Sequence, residues 1–307
     1  MNNGGLLTGR AQNGNLRVSA MIQLKQIRYV RLGTRDLEAA CAYAKGILGL
    51  QEIRRDDGAV YFRSDSRDHT LVYVEGDPAD HTAAFELATS EELDAAAAAL
   101  EKMKHPVREG TQDECEQRYV RRFIAFKDPS GNQVELVHRP QQSGWRYFPA
   151  RDAGITGFSH IGLRSTNPPR DEKFWTGVFN ARVSDWIGDC PLLRIDEVHH
   201  TIAVFPSDRP GIQHVNHQVD SIDDVMRSFY FLSERQVKIV FGPGRHPTSS
   251  AIFLYFEGPD GMVYEYSTGV RKITDEANYR PRSFSAGPES FCMWGAKPDI
   301  PEFKNKP

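Results

Sequence analysis

The sequence predicts an α+β protein made of two tandem copies of one domain. Three pairs of segments resemble each other along the 307 residues, and their partners stay near 130–132 residues apart. Each pair alternates short strand patterns with amphipathic helix patterns in the same order. Constant spacing over three pairs indicates a duplication, and we place the copies at residues 21–139 and 153–270.

The three pairs define the elements of each copy. The first reads strand, loop and amphipathic helix, the second reads strand then helix, and the third is two strands around a DPSG or GPDG turn. The pairs are 27–52 with 158–183, 82–107 with 214–239, and 121–140 with 250–269. The strand–helix–strand pattern occurs twice per half, so each domain should contain paired βαβββ modules. Such modules curl into an open barrel whose inner sheet face lines a cavity.

The remaining segments flank these two domains. Residues 140–152 are predicted to be a linker, and the Pro-rich residues 271–307 a C-terminal arm. We expect the arm to pack across the second domain and close its site, or to make subunit contacts. Residues 1–20 are rich in Asn and Gly and predict a disordered extension, with Met21 as a plausible natural start.

Composition excludes several classes of function. A net charge of −3 gives no electrostatic reason to bind nucleic acid or an anionic membrane. No run of 18 apolar residues predicts a membrane-spanning helix, and the first 20 residues lack a signal peptide's apolar core. The four cysteines lack C-x-x-C spacing, which favours a reduced, cytoplasmic setting over disulfides or structural zinc.

A comparison of the two copies identifies candidate chemistry. At three matched strand positions the second copy combines two histidines with a glutamate, whereas the first copy keeps only the glutamate. The matched positions are His160 with Tyr29, His214 with Thr82, and Glu265 with Glu135. A residue needed only for chemistry is expected in one copy alone, so the second domain is the predicted site.

The alternation of side chains along each strand predicts that the three side chains point to the same face of the sheet. His160, His214 and Glu265 fit one cavity-facing set, whereas His217 has the opposite parity to His214 and should pack against a helix. A lone strand histidine is usually a core or surface residue. Two histidines and a carboxylate at matched positions instead resemble the ligand triad of non-heme Fe(II), or of Mn(II).

Further polar residues cluster around this triad in the sequence. Tyr255 and Glu265 are equidistant from the GPDG turn, so a hairpin would place them side by side. His199, His200 and His246 could move protons near neutral pH. The alternatives are a solvent-facing histidine pair and a packing tyrosine.

These motifs resemble the two-domain type I extradiol catechol dioxygenases of the vicinal-oxygen-chelate superfamily. The matching runs are FSHIGL, HHTIAVFP, IQHVNHQV, GPGRHPTS, FLYFEGPDGMVYEYS and SFCMWG, and the resemblance covers nearly all of residues 21–300. It implies two tandem domains of that superfamily, with the metal in the second only. It also implies a catechol and O₂ as substrates, ring opening beside the diol, and a homo-oligomer.

The resemblance also implies roles for individual residues. His160, His214 and Glu265 would bind Fe(II), and His200 would be the acid–base residue. His246 and Tyr255 would be hydrogen-bonding groups around the substrate oxygens and the ring-opening intermediate. Ser249 stands where relatives acting on biphenyl-type substrates often have Asp, so the local hydrogen-bond network differs at this predicted substrate contact.

The substrate is predicted from two neighbours of the histidines and from the closest subgroup. Gly162 and Asn216 lie two residues beyond His160 and His214, where an apolar biaryl pocket would favour branched side chains. The motifs are closest to 2,3-dihydroxy-p-cumate dioxygenases, which act on a carboxylated catechol. Its carboxylate would need a cation, and Arg164 and Arg245 are either that cation or surface charges.

Other activities remain open at this point. They are a 2,3-dihydroxybiphenyl-type or other catechol dioxygenase, a glyoxalase-like metal isomerase, and a ligand-binding protein without activity. The one-sided ligand set counts against the isomerase, which usually draws ligands from both halves of its site. The presence of all three ligands counts against a binding protein.

Overall fold

The computed structural model describes residues 21–304 of the chain. Two large mixed sheets, one per half, confirm the predicted α+β class and the tandem arrangement. The predicted disordered extension, residues 1–20, lies outside the described residues.

The N-terminal sheet has eight strands in the order β2-β3-β4-β1-β5-β8-β7-β6. Its strands are β1 (Ile27–Thr34), β2 (Gln51–Asp56), β3 (Ala59–Arg63), β4 (Leu71–Glu75), β5 (His81–Leu87), β6 (Arg108–Glu109), β7 (Arg122–Lys127) and β8 (Gln133–His138). Its helices are α1 (Leu37–Gly46), α2 (Ser90–Lys102) and α3 (Gln112–Gln117). Thr89 and Thr111 begin α2 and α3 with capping boxes, in which the side chains of Glu92 and Glu114 bond back to the cap.

The C-terminal sheet has nine strands in the order β14-β15-β16-β13-β9-β12-β11-β10-β17. Its strands are β9 (Ile155–Ser165), β10 (Arg182–Ile187), β11 (Cys190–Arg194), β12 (Ile202–Pro206), β13 (Ile212–Val219), β14 (Ile239–Arg245), β15 (Ile252–Glu257), β16 (Val263–Thr268) and β17 (Arg282–Phe284). Its helices are α4 (Pro168–Val178) and α5 (Ile222–Glu234). The ninth strand, β17, comes from the arm and pairs in parallel with β10.

The two halves have the same central topology. In the first, β1 pairs in parallel with β4 and antiparallel with β5, and β5 pairs in parallel with β8. In the second, β9, β12, β13 and β16 repeat these relationships. The largest hydrophobic core contains residues of both halves, and the rings of Phe85 and Trp175 are 5.7 Å apart. The domains are therefore joined by a shared apolar core that fixes their geometry.

No helix among residues 21–304 is long and apolar enough to cross a membrane. All four cysteines are buried free thiols.

Candidate metal centre

Three side chains with metal-binding atoms meet inside the C-terminal domain. His160 lies on β9, His214 on β13 and Glu265 on β16, and each is at most 3% exposed. Asn216 pairs with His160 on one side and with Glu265 on the other. Residues paired across neighbouring strands point to the same sheet face, so His160 and Glu265 share the face of Asn216. His214 lies two residues before Asn216 on β13 and points to that face too. The register therefore brings the two histidines and the glutamate together.

The three ligand atoms form a compact triangle. His160 Nε2 is 3.1 Å from His214 Nε2 and 3.0 Å from Glu265 Oε2. His214 Nε2 is 3.5 Å from Glu265 Oε2. These are the separations of three donors on one face of an octahedron with bonds of about 2.1 Å. Across residues 21–304, this is the one group of three His, Cys, Asp or Glu side chains with ligand atoms this close.

The chemistry of the three donors fits a metal ion. Glu265 Oε2 is buried without a hydrogen-bond partner, which is costly unless another group satisfies it. A cation held by this carboxylate and the two imidazole nitrogens would do so. Two histidines and one carboxylate are the preferred ligands of non-heme Fe(II), and they also suit Mn(II).

The protonation states of the triangle favour the same conclusion. Burial lowers the pKa of His214 to about 3, so its imidazole is neutral at neutral pH. Burial acts to raise the pKa of Glu265, but its contacts with His160 and His246 outweigh burial and hold this pKa well below its usual range. Neutral imidazole and ionised carboxylate are the forms that bind metals.

Gln213 orients one of the histidines and was not found from the sequence. Its side-chain oxygen accepts a hydrogen bond from His214 Nδ1, which leaves the Nε2 lone pair for the centre of the triangle. The β13–β9 register shifts between Ile212 and His214, so Gln213 lies at an irregularity. Regular alternation would send Gln213 and His214 to opposite faces, and sequence periodicity gives no signal for such a bulge.

The substrate contact predicted for Gly162 stays a prediction, and the structure shows what lies beside this glycine. A Cβ at Gly162 would lie 2.5 Å from His214 Nδ1 and 2.8 Å from Gln213 Oε1. The space beside the glycine is therefore already filled by the histidine and the amide that orients it. Gly162 acts on the metal centre by allowing His214 to pack closely against β9.

His200 lies directly against the triangle. Its ring centroid is 4.2 Å from that of His160, and the side chain is 7% exposed. Burial, aided by the neighbouring His160 and His199, lowers the pKa of His200 well below its usual range. The structure buries both His199 and His200, so the alternative of a solvent-facing pair does not hold.

His246 and Tyr255 form a hydrogen-bonded pair on another side of Glu265. The predicted pairing of Tyr255 with Glu265 across the hairpin is confirmed. His246 Nε2 lies 3.2 Å from the Tyr255 hydroxyl and 3.7 Å from Glu265 Oε1. His246 Nδ1 donates to the Phe291 carbonyl at 2.7 Å, which fixes the orientation of the ring. Burial, followed by Glu265, raises the pKa of Tyr255 well above its usual range and keeps the phenol protonated.

The predicted substrate contacts of Asn216 and Ser249 stay predictions. Asn216 Nδ2 donates to the Ser267 hydroxyl at 2.8 Å, and its oxygen accepts from Gln218 at 3.2 Å. Ser249 is fully buried, and its carbonyl accepts from the Arg271 amide at 2.7 Å. Both residues therefore already make hydrogen bonds within the protein.

The two arginines considered for a substrate carboxylate have other environments. Arg164 forms an ion pair with Glu302 at 2.6 Å and donates to the Ile212 carbonyl at 2.7 Å. Arg245 is exposed and donates to the Ser250 carbonyl. The structure supports an ion-paired role for the first and a surface position for the second.

The arm supplies part of the surroundings of the centre. Phe303 packs its ring 4.7 Å from that of Phe205 and 6.0 Å from that of Tyr255. Phe291, whose carbonyl holds His246, stacks on Phe303 at 5.1 Å. The arm therefore packs across the C-terminal domain and adds an apolar cover beside Tyr255.

Two barrel-like domains with one buried His–His–Glu centre define a metal-binding protein of duplicated architecture. A family model for the Glyoxalase/Bleomycin resistance protein/Dioxygenase superfamily matches residues 26–136 and 157–266. The chain belongs to this superfamily.

The chain is also similar to individual members of this superfamily. An iron-dependent extradiol dioxygenase of Rhodococcus jostii (strain RHA1) is 26% identical over 278 residues, which cover 83% of this chain and 93% of that protein. The crystal structure of BphC, a halotolerant catechol dioxygenase, has a TM-score of 0.82 at 24% identity, covering 92% of this chain and 97% of that one. The Mn(II)-bound glyoxalase of Novosphingobium aromaticivorans has a TM-score of 0.80 at 26% identity, covering 93% and 95%.

Proposed function

We propose that the chain is an extradiol dioxygenase that opens the ring of a catechol with O₂, using Fe(II), with Mn(II) as the alternative metal. The observation that carries this proposal is the buried triangle of His160, His214 and Glu265, with His200 packed against it. The iron-dependent extradiol dioxygenase among the relatives supports the same enzyme class and metal. A metal with three protein ligands keeps open positions at which a catechol and O₂ can react.

The surrounding residues have complementary proton chemistry. His200 is neutral at neutral pH, so it can accept the proton that a catechol hydroxyl loses on binding. Tyr255 keeps its proton and can donate a hydrogen bond to a substrate oxygen. Both side chains are buried, which strengthens their polar interactions relative to those in water.

Among catechols, we propose a carboxylated substrate such as 2,3-dihydroxy-p-cumate, with 2,3-dihydroxybiphenyl-type catechols as the alternative. The support is the resemblance of the runs DEVHHTIAVFP, HVNHQV and GPGRHPTS to that subgroup. The arguments from Gly162 and Arg164 no longer contribute, because both have structural roles here.

The decisive experiment is anaerobic reconstitution with Fe(II), followed by air and a panel of catechols. We expect oxygen uptake and a yellow ring-opened product, fastest with 2,3-dihydroxy-p-cumate and absent in His214→Ala. Reconstitution with Mn(II) in parallel identifies the productive metal. Absence of oxygen uptake with every catechol and both metals would reject the proposal, and a faster biphenyl-type catechol would reject only the substrate.

A glyoxalase-like isomerase is the second candidate, because the Mn(II)-bound glyoxalase covers almost the whole chain at 26% identity. An isomerisation consumes no dioxygen, so metal-dependent turnover of a glyoxalase substrate under anaerobic conditions would favour this candidate. All three ligands of the candidate centre come from the C-terminal domain, which argues for the dioxygenase. Their presence also argues against a ligand-binding protein without activity.

Assembly as a homo-oligomer and a cytoplasmic location are also proposed. The first is supported by the family resemblance, and the second by four cysteines that are buried free thiols. Light scattering of the purified chain tests the oligomer, and fractionation of the source cells tests the location.

A further inference from the structure

A buried chain of polar side chains extends from His200 away from the metal centre. His200 Nδ1 lies 3.1 Å from His199 Nδ1, and His199 Nε2 lies 2.9 Å from Asp185 Oδ2. His199 and Asp185 are both 0% exposed. Both nitrogens of His199 and Nδ1 of His200 therefore have partners within the chain of side chains, and solvent does not compete for these bonds.

The direction of each hydrogen bond follows from the acceptor at the end. Burial opposes ionisation of Asp185, but His199 and Arg282 outweigh it and lower its pKa to about 2. The carboxylate can only accept, so His199 Nε2 donates to it. Burial lowers the pKa of His199 and keeps it neutral, so its Nδ1 is an acceptor. His200 Nδ1 must then donate, which leaves the lone pair of His200 on Nε2.

We propose that Asp185 and His199 are positioning residues, which fix His200 in the tautomer whose Nε2 is free to accept a proton from the substrate. The catalytic part of this statement rests on the proposed dioxygenase function. A catechol hydroxyl loses its proton to His200 Nε2, and the resulting imidazolium keeps its Nδ1 hydrogen bond to His199. The negative charge of Asp185 stabilises that imidazolium, and no other proton needs to move.

The N-terminal domain supports this assignment, because it has the same irregularity in its sheet but lacks the Asp–His–His chain. Asp185 lies at a register shift of the β10–β11 pair, and Arg54 lies at the corresponding shift of the β2–β3 pair. Bulges re-aim side chains towards sites next to a sheet. There, His69 bonds to the adjacent Asp68 at 3.0 Å instead of to a second histidine. The Asp–His–His chain is thus specific to the domain with the metal centre.

Asp185 also binds the C-terminal arm, so its role could be to anchor the arm and not to position His200. Its Oδ2 accepts from Arg282 at 2.6 Å and from Arg271 at 3.1 Å. Its Oδ1 accepts from the amide and Nε of Arg282 at 2.9 and 3.1 Å. An anchor for the arm would need these bonds and not the bond to His199, so the two roles can be separated.

The test combines nitrogen NMR with steady-state kinetics. Asp185→Asn leaves one oxygen to serve donors that lie on both sides of the native carboxylate. The hydrogen bond from His199 is then no longer enforced, and His200 loses its fixed tautomer. Full-length, metal-free protein labelled with ¹⁵N-histidine reports this tautomer directly, with His200→Gln to assign the signals.

We expect wild type to show protonated Nδ1 and unprotonated Nε2 at His200, and Asp185→Asn to lose this preference. With Fe(II) and a catechol, kcat should fall about 10- to 100-fold in Asp185→Asn, with less than about a threefold change in KM. Arg282→Gln removes the guanidinium bonds from the arm to Asp185 and leaves the bond to His199, so it should keep the wild-type tautomer and kcat. His199→Phe keeps the arm bonds and should lower kcat as Asp185→Asn does, which carries the test if the latter does not fold.

A wild-type His200 protonated on Nε2 would overturn the proposal. Equal losses of kcat in Arg282→Gln and Asp185→Asn would also overturn it, because an arm anchor would explain them. The tautomer measurement needs no turnover. If wild type takes up no oxygen, the proposed function fails, while the tautomer assignment is still decided by the spectrum.

Discussion

The two domains place a glutamate at the same point of the same fold but neutralise it differently. In the C-terminal domain, Glu265 faces two histidine nitrogens and keeps a buried oxygen without a hydrogen-bond partner. In the N-terminal domain, Tyr29 donates to Glu135 at 2.6 Å, and Arg118 lies 2.7 Å from the same carboxylate. A buried carboxylate needs a positive partner, and an internal guanidinium in one domain replaces the ion predicted in the other.

A second difference concerns the residue beside each site. Gly162 pairs with His214, whereas Arg31 pairs with Thr82 at the matching position of the other domain. A histidine ligand requires an empty place on the neighbouring strand, but a threonine leaves room for a long side chain. The small residue therefore belongs to the metal centre.

The largest effect is expected from removal of a ligand. His160→Ala should lower iron content to less than about a tenth of wild type and oxygen uptake by more than about 100-fold. This loss exceeds the roughly 10- to 100-fold loss of activity that is usual when a residue that only orients a metal ligand is removed. Tyr29→Phe, at the matching position, should leave iron content unchanged. Metal analysis of both variants decides, and full iron content in His160→Ala would contradict the ligand assignment.

The internal cation can be tested in the same way. Arg118→Met leaves Glu135 buried without its charge partner, so the free energy of unfolding should fall by about 3–5 kcal/mol. Addition of Glu135→Gln should recover more than half of this loss, because the unpaired charge disappears. Chemical denaturation measures both, and an undiminished loss in the double variant would show that Arg118 acts by packing alone. Iron content should be normal in both proteins.

Gly162→Ala should weaken the metal centre without removing a ligand. The new methyl group collides with His214 and Gln213, so iron affinity should fall about 10- to 100-fold. Competition with a chelator measures this affinity. Arg31→Ala is the matched control and should bind iron as wild type does, whereas an unchanged affinity in Gly162→Ala would mean that β9 moves aside freely.

The smallest effect concerns the two hairpin turns that follow β7 and β15. Burial raises the pKa of Asp128 to about 6, and the matching position of the other turn is Gly258, which does not titrate. The folded protein holds this proton more tightly than the unfolded chain does. Stability should therefore decline by about 1–3 kcal/mol as pH rises from about 4 to 7.

Asp128→Asn should remove that part of the pH dependence. Urea unfolding of wild type and variant at pH 4, 5, 6 and 7 gives the difference in unfolding free energy at each pH. A difference that stays constant across the series would show that Asp128 titrates alike in the folded and unfolded states.

The three residues of the metal triangle were predictable because the patterns that identify them lie within short segments and recur in both copies of the domain. Strand parity placed His160 and His214, and the symmetry of the hairpin placed Tyr255 opposite Glu265. The duplication supplied an internal control, since the first domain keeps the glutamate and lacks the histidines. Periodicity of two and a constant repeat spacing are both readable along a chain.

The residues that orient the ligands were not predictable in this way. Gln213 reaches His214 through a bulge, and Asp185 on β10 reaches His199 in the connection between β11 and β12. A bulge breaks the alternation on which parity depends.

The sequence by itself therefore determined the duplicated α+β fold, the domain with the site and the three candidate ligands. Only the tertiary structure decided that Gly162 makes room for His214, that Arg118 takes the place of an ion, and that Asp185 faces His199. The physical reason is that these last features depend on distances between side chains far apart in the chain. Such distances are set by strand register, bulges and core packing.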